Sequence, residues 1–170
     1  MIETARLVLR EFRDSDLADI QEYAGDPEVV QYLPWGPNTL EQTRQFLSSV
    51  QANRPEHGFA IELKQEKRVV GACRLTVKDQ ANRSGDIGYV LNRRYWGRGY
   101  IPEAAEALLE LGFGELKMHR IWARCDVLNT ASARVMEKIG MRQEAHLLQD
   151  VFEKGVWRDS YIYAILESER

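Results

Sequence analysis

Arg94-Tyr95-Trp96-Gly97-Arg98-Gly99-Tyr100 combines residue types at a spacing that points directly to chemistry. The strand-like run Ile87-Gly88-Tyr89-Val90-Leu91 precedes it, and the helix-like run Pro102-Glu103-Ala104-Ala105-Glu106-Ala107-Leu108-Leu109 follows. A strand that breaks into a glycine-bearing turn and then opens a helix leaves several backbone N–H groups unpaired and pointing one way. With the positive end of the helix dipole behind them, they form an anion site. Two glycines let the backbone approach a pyrophosphate without a Cβ in the way, and Arg94 and Arg98 add charge. The chemistry expected here is the holding of a phosphorylated cofactor.

Other residue types narrow the choice. Gly97-Arg98-Gly99 is followed by Pro102, so the third glycine of a G-x-G-x-x-G dinucleotide fingerprint is missing, and no G-x-x-x-x-G-K-[ST] phosphate loop occurs. There is no G-x-S-x-G elbow and neither cysteine has a nearby histidine, which disfavours a covalent intermediate. Cys73 and Cys125 each sit in an apolar run and read as buried small hydrophobes in a reducing compartment. His57, His119 and His146 lack metal-ligand spacing, so no metal is expected. A net charge of −3 argues against nucleic acid as the partner. The N-terminus lacks signal-peptide character and no apolar run approaches the ~18 residues that would span a bilayer, so the reading is cytoplasmic with no membrane partner.

Elements to position these residues follow from the hydrophobic pattern. Leu7–Arg10 is a short strand, and Asp14-Ser15-Asp16 would cap a helix through about Ala24. Tyr32-Leu33-Pro34-Trp35-Gly36-Pro37 reads as a rigid aromatic loop. Asn38-Thr39 with Glu41-Gln42 would open a second helix through Gln51, with Leu40, Phe46, Leu47 and Val50 as its buried stripe. Strands are expected at Phe59–Leu63, Val69–Val77, Asp86–Leu91 and His119–Cys125, with two more near Glu144–Glu153 and Val156–Leu166 sharing a turn at Lys154-Gly155. The helix after the glycine turn would run to about Leu116, and Thr130–Ile139 would form another, ended by Gly140. With no repeat or linker, residues 1–170 read as one α/β domain.

The R-x-x-G-x-G pattern across Arg94–Gly99 resembles the motif of the GNAT superfamily of acetyl-CoA-dependent N-acetyltransferases. Asp86–Leu91 before the turn, Asn129-Thr130-Ala131-Ser132 and Glu137-Lys138-Ile139-Gly140-Met141 strengthen the likeness. Glu3–Arg10, Asp26-Pro27-Glu28-Val29, Tyr32–Trp35 and the closing hairpin with Asp159 are similar to the branch containing ribosomal-protein N-terminal (alanine/serine) acetyltransferases. The resemblance implies an α/β (α+β) fold with a mixed, mainly antiparallel sheet of about seven strands, splayed after Tyr89–Leu91 and flanked by about four helices. It also implies acetyl-CoA as cosubstrate.

Within that resemblance, Val90, Leu91 and Asn92 would offer backbone groups to the pantetheine arm, and the Leu91 N–H would polarise the thioester carbonyl. Arg94, Gly97, Arg98 and Gly99 would hold the pyrophosphate. Trp96 reads first as a packing anchor; by position it and Tyr100 are grouped with the cofactor residues. Asn129 would cap its helix and reach a pantetheine amide, and Ser132 would bond the leaving sulfur. Asp86 is the first candidate for general base, where many family members carry a glutamate; His57 and Glu62 follow, and all three are also readable as solvated or ion-paired groups. Trp35, His57 and Tyr89 are expected at the acceptor.

A lysine amine with pKa ~10.4 is mostly protonated at neutral pH, whereas an α-amine near ~7.7–8.0 has a sizeable neutral fraction, so an N-terminal acceptor asks less of its base. The resemblance implies acetyl transfer to a primary amine, with a protein N-terminal α-amine first. The alternatives are a small amine such as an antibiotic or polyamine, and a non-catalytic acyl-CoA-binding module. The resemblance also implies a homodimer, with Phe152, Trp157, Tyr161 and Tyr163 of the closing hairpin either at its interface or against the sheet.

Overall fold

A computed structural model describes residues 1–53 and 57–170 of the chain. The strands are β1 (Ile2–Glu3), β2 (Leu7–Arg10), β3 (Gly58–Leu63), β4 (Arg68–Asp79), β5 (Ser84–Leu91), β6 (Arg120–Asp126), β7 (Arg142–Glu153) and β8 (Val156–Leu166). The α-helices are α1 (Leu17–Ala24), α2 (Leu40–Asn53), α3 (Tyr100–Glu110) and α4 (Thr130–Lys138). The eight strands are ordered β1-β2-β3-β4-β5-β6-β8-β7, one more than the seven expected. The addition is β1, two residues pairing with Val8 and Leu9, too short to show a period in the sequence. β5 and β6 pair in parallel; β1–β2, β2–β3, β3–β4, β6–β8 and β7–β8 are antiparallel.

The residues group into two compact units, Met1–Arg74 with Tyr89–Ala107, and Leu75–Gly88 with Leu108–Arg170. In the first, Ile20, Tyr23 and Ala24 of α1 and Leu47 of α2 pack with Ala60 and Val69 in a buried cluster. α1 is preceded by a 3-10 turn at Asp14–Asp16, and Asp16 makes no side-chain cap to the helix. Its carboxylate goes instead to the Arg10 guanidinium, at 2.8 and 2.9 Å, and to the Arg13 N–H at 2.8 Å. α2 opens with the expected reciprocal cap between Thr39 and Gln42, but its inward face differs from the expected stripe. Thr43 and Leu47 are buried, whereas Leu40 and Phe46 are 48 % and 41 % exposed. Thr43 can face inward because its hydroxyl donates to Gln21 Oε1 at 2.5 Å, so a polar residue occupies a turn that hydrophobicity assigns to its neighbours.

Gly71 on β4 is required by a close approach within the first unit: a Cβ there would lie 2.3 Å from the Val90 carbonyl oxygen. In the second unit, α3 passes into a π-helical turn at Leu111–Glu115, where a continuous helix to Leu116 was expected. A Cβ on Gly112 would lie 2.4 Å from Ile121 Cδ1, so this turn is pressed onto β6. α4 closes at Gly140 as expected, with the Met141 N–H reaching the Met136 carbonyl. The β7–β8 hairpin turns at Lys154-Gly155, both with positive φ. Among the described residues no helix is long and apolar enough to cross a membrane.

Candidate active site

The first unit carries the glycine turn. β5 ends at Leu91, and Asn92 starts a 3-10 turn over Arg93–Tyr95. Asn92 is buried; its N–H donates to the Val70 carbonyl at 2.8 Å and its Oδ1 accepts the Arg94 N–H at 3.0 Å. The Trp96 indole N–H donates to the Leu91 carbonyl at 2.9 Å. The Asn92 N–H and the Leu91 carbonyl are engaged inside the protein, where they make the turn that lets the chain leave the sheet. Asn92 Nδ2 is buried and meets no acceptor among the described residues.

Beyond Trp96 the backbone opens out. Gly97 and Gly99 have φ of +75° and +78°, a conformation that side chains strain to adopt. A Cβ on Gly97 would meet nothing within 4 Å, so the space over the turn is open. The N–H groups of Gly97, Arg98 and Gly99 meet no acceptor among the described residues, and α3 begins at Tyr100 directly after them. Free N–H donors at a helix N-terminus suit a diphosphate. Trp96 is 48 % exposed and serves as a polar clasp on Leu91, where a packing anchor was expected. Tyr100 is 9 % exposed with its ring beneath the Arg6 guanidinium at 4.5 Å, so its side chain is committed to packing.

The arginines differ from one another. Arg94 Nη1 lies 2.8 Å from Glu22 Oε1, and Arg93 pairs with Asp26 at 3.0 Å and Glu28 at 2.6 Å. Arg98 meets no carboxylate among the described residues; its guanidinium stands 5.5 Å from the centroid of the Tyr95 ring. The Tyr95 hydroxyl, pushed up by burial and by the neighbouring Glu66 carboxylate, donates to Glu66 at 2.6 Å. Sequence inspection missed the carboxylate partners because they lie 65 or more residues away.

Glu62, the third base candidate, is tied to Arg10 at 2.5 Å, and Arg10 also holds Asp16. Burial opposes the Arg10 charge, but the hydrogen bond to Asp16, the largest influence, and the Glu62 contact raise its pKa overall. This cluster of one guanidinium and two carboxylates ties β2 to β3. Trp35 is 37 % exposed, and His57 is half-buried in the turn before β3. Among the described residues no hydrogen bond or ring contact joins them. Tyr89 and Val90 are half-buried at the end of β5, Val90 against the α1–α2 core.

In the second unit the β5–β6 ladder pairs Ser84, Gly85 and Asp86 with Arg120, Ile121 and Trp122, and Asp86–Trp122 is its last pair. β5 runs on to Leu91, so the ladder ends five residues before the strand does and earlier than the expected splay after Tyr89–Leu91. The side chain of Asp86 is 9 % exposed, with Lys78 Nζ 3.4 Å from Oδ1. Asn129 caps α4, its Oδ1 accepting the Ser132 N–H at 3.1 Å, and Ser132 is half-buried in the first turn. Cys73 and Cys125 are buried free thiols; burial pushes Cys73 upward and, with Asp126 beside it, Cys125 up to about 11, so neither is a thiolate near neutral pH.

Known proteins agree with this geometry. Residues 6–142 match the family described as Acetyltransferase (GNAT) domain. The Bacillus subtilis (strain 168) protein named Uncharacterized N-acetyltransferase YnaD is 39 % identical over 168 residues, covering 99 % of this chain and 98 % of its own. A more distant relative, Putative ribosomal N-acetyltransferase YdaF of the same organism, is 29 % identical over 113 residues, 66 % of this chain and 62 % of its own. The crystal structure of a GNAT-family acetyltransferase from Bacillus anthracis superposes with a TM-score of 0.91 at 40 % identity, covering 99 % of both chains. The Vibrio cholerae spermidine N-acetyltransferase, solved with CoA and spermine, shares the fold at a TM-score of 0.82 and 22 % identity over 98 % of both chains. The mixed sheet, the glycine turn opening α3 and these matches together place the chain in the GNAT family of acetyl-CoA-dependent N-acetyltransferases.

Proposed function

We propose that this enzyme transfers the acetyl group of acetyl-CoA directly to the α-amine of a protein N-terminus, acting as one domain over residues 1–170. The observation that carries the reading is the place of Asp86, a carboxylate buried on β5 at the last pair of the β5–β6 ladder, with Lys78 Nζ 3.4 Å from Oδ1. Glu62 instead lies with Asp16 around Arg10. A carboxylate base suits an α-amine, which already has a neutral fraction near pH 7, better than a lysine amine. The ribosomal relative named above supports the same class.

Acetyl-CoA supplies the acetyl thioester. The N–H groups of Gly97, Arg98 and Gly99, with the Arg98 guanidinium and the α3 N-terminus, would hold its diphosphate, and Asn92 Nδ2 would pair with a group of the pantetheine arm. The Leu91 N–H would donate toward the thioester oxygen as charge develops there. Asp86 would take the proton the amine loses as its nitrogen bonds the acetyl carbon and the carbon–sulfur bond breaks. Ser132 would donate a hydrogen bond to the departing sulfur. Trp35, His57 and Tyr89 would line the acceptor.

The deciding experiment is acetyl-CoA-dependent thiol release against free and Nα-blocked peptides and a panel of small amines. Turnover with free peptides alone supports the reading; turnover with polyamines alone replaces it with the small-amine reading that the spermidine-acetylating relative favours. Tight CoA binding without turnover on any amine would favour a binding module.

We also infer a cytoplasmic homodimer. Leu148, Phe152 and Trp157 of the β7–β8 hairpin are 73 %, 60 % and 60 % exposed, with the Phe152 and Trp157 rings packed at 5.3 Å, a solvent-facing apolar surface suited to a second copy. Tyr163, by contrast, is buried and donates to Glu137, so it belongs to the sheet packing. Light scattering of the wild type and Trp157→Ser tests the association.

A further inference from the structure

Glu103 lies in the first turn of α3, where its charge would work against the proposed diphosphate site. A carboxylate at this position can fold back onto the free N–H groups of the helix start, and its charge repels an approaching phosphate. Here it does neither. Oε1 accepts from the Thr4 hydroxyl at 2.6 Å and from the Arg6 N–H at 2.8 Å, and Oε2 accepts from Arg6 Nε at 2.6 Å. Burial would raise the Glu103 carboxyl, but these bonds and the Arg6 charge outweigh it and hold it below its ordinary value. The carboxylate is therefore turned toward the β1–β2 connection and neutralised there.

The same guanidinium reaches the glycine turn. Arg6 Nη1 donates to the Arg98 carbonyl at 2.9 Å, its plane covers the Tyr100 ring, and a Cβ on Gly99 would lie 3.5 Å from Nη2. In a planar trans peptide the C=O and the following N–H point in opposite directions. Holding the Arg98 carbonyl therefore aims the Gly99 N–H away from Arg6, and that N–H meets no acceptor among the described residues.

We propose that Arg6 is a positioning residue of the diphosphate turn, its forked guanidinium fixing the Arg98–Gly99 peptide so that the Gly99 N–H faces the cofactor while it neutralises Glu103. The inference rests on the reading of Arg94–Gly99 as the diphosphate site. Lysine could supply the charge at this position but not the fork that serves Glu103 and the Arg98 carbonyl together.

The test is CoA binding by calorimetry, with ³¹P NMR of CoA bound at saturation, in wild type, Arg6→Ala and Arg6→Lys, each checked for folding by circular dichroism. Arg6→Ala is expected to weaken CoA by about tenfold, in line with loss of one charged hydrogen-bond set. It should also shrink the displacement of the two diphosphate resonances on binding while leaving the 3′-phosphate resonance in place. Loss of general packing would move all three phosphates together. Arg6→Lys should fold, retain part of the affinity and show the same selective change, and it decides the matter if Arg6→Ala does not fold. Wild-type diphosphate resonances that move on binding, with unchanged affinity and displacement in a folded Arg6 variant, would overturn the role of Arg6. Wild-type resonances that do not move although CoA binds would instead overturn the site assignment on which the proposal rests.

Discussion

Arg94, the first residue of the R-x-x-G-x-G pattern, is ion-paired with Glu22 of α1 at 2.8 Å, and Glu22 is shared with Arg68 at 2.6 Å. The arginine with the strongest motif credentials is thus partly neutralised, and Arg98 is the one without a carboxylate among the described residues. Charge at the glycine turn depends on how α1 distributes its acidic groups as well as on the motif.

Arg98→Ala is expected to weaken CoA more than Arg94→Ala. Glu22→Gln should tighten CoA by no more than about fivefold, since an ion pair with one partner this exposed amounts to less than about 1 kcal/mol. Isothermal titration at two salt concentrations checks all three, with the largest loss of salt dependence in Arg98→Ala. Weaker binding in Glu22→Gln would mean that Glu22 holds Arg94 in a productive position.

Asp86 and Glu62 should separate cleanly. Asp86→Asn is expected to slow acetyl transfer by roughly 10²–10⁴ with CoA affinity retained. Glu62→Gln should leave turnover within about twofold and lower stability by about 1 kcal/mol through loss of a charged hydrogen bond to Arg10. Steady-state kinetics on the acceptor found by the amine panel, with thermal melts, distinguishes them, and a large rate loss in Glu62→Gln would reverse the assignment.

Gly71→Ala would place a Cβ 2.3 Å from the Val90 carbonyl, and because the obstacle is backbone on a neighbouring strand it cannot swing aside. The expected cost is roughly 1–3 kcal/mol, read as a melting temperature lower by about 2–4 °C per kcal/mol. An unchanged melt would mean that the β4–β5 spacing can relax there.

Glu103 predicts a direction with pH. Its folded carboxyl lies below the ordinary value near 4.5, so its contribution to stability is complete above the unfolded value and is lost as pH falls through the folded one. Wild type should melt above Glu103→Gln at pH 7, with the gap closing steadily below about pH 4.5. A gap that does not narrow at all as pH falls below about 4.5 would trace to packing of Glu103, not to its charge.

Much of the architecture was readable from local pattern because it is written locally. The Thr39–Gln42 cap, the Lys154-Gly155 hairpin, the Gly140 helix stop and the glycine turn before α3 each depend on residues within one turn of the chain. The Asn129 cap bonding Ser132 is of the same kind. β1 was too short to show a period, and the inward face of α2 depended on a Thr43–Gln21 bond that hydrophobicity does not weigh.

Residue types and spacing alone determined that this chain has a glycine turn between a strand and a helix. Tertiary structure decided which polar groups at that turn remain available. The Arg94, Arg93 and Glu62 charges are taken up by Glu22, by Asp26 and Glu28, and by Arg10. The Leu91 carbonyl is taken by Trp96, and Glu103 is drawn off by Arg6 from 97 residues away. A hydrogen-bond donor or a charge has one set of partners at a time, and long-range packing selects among the partners that composition offers.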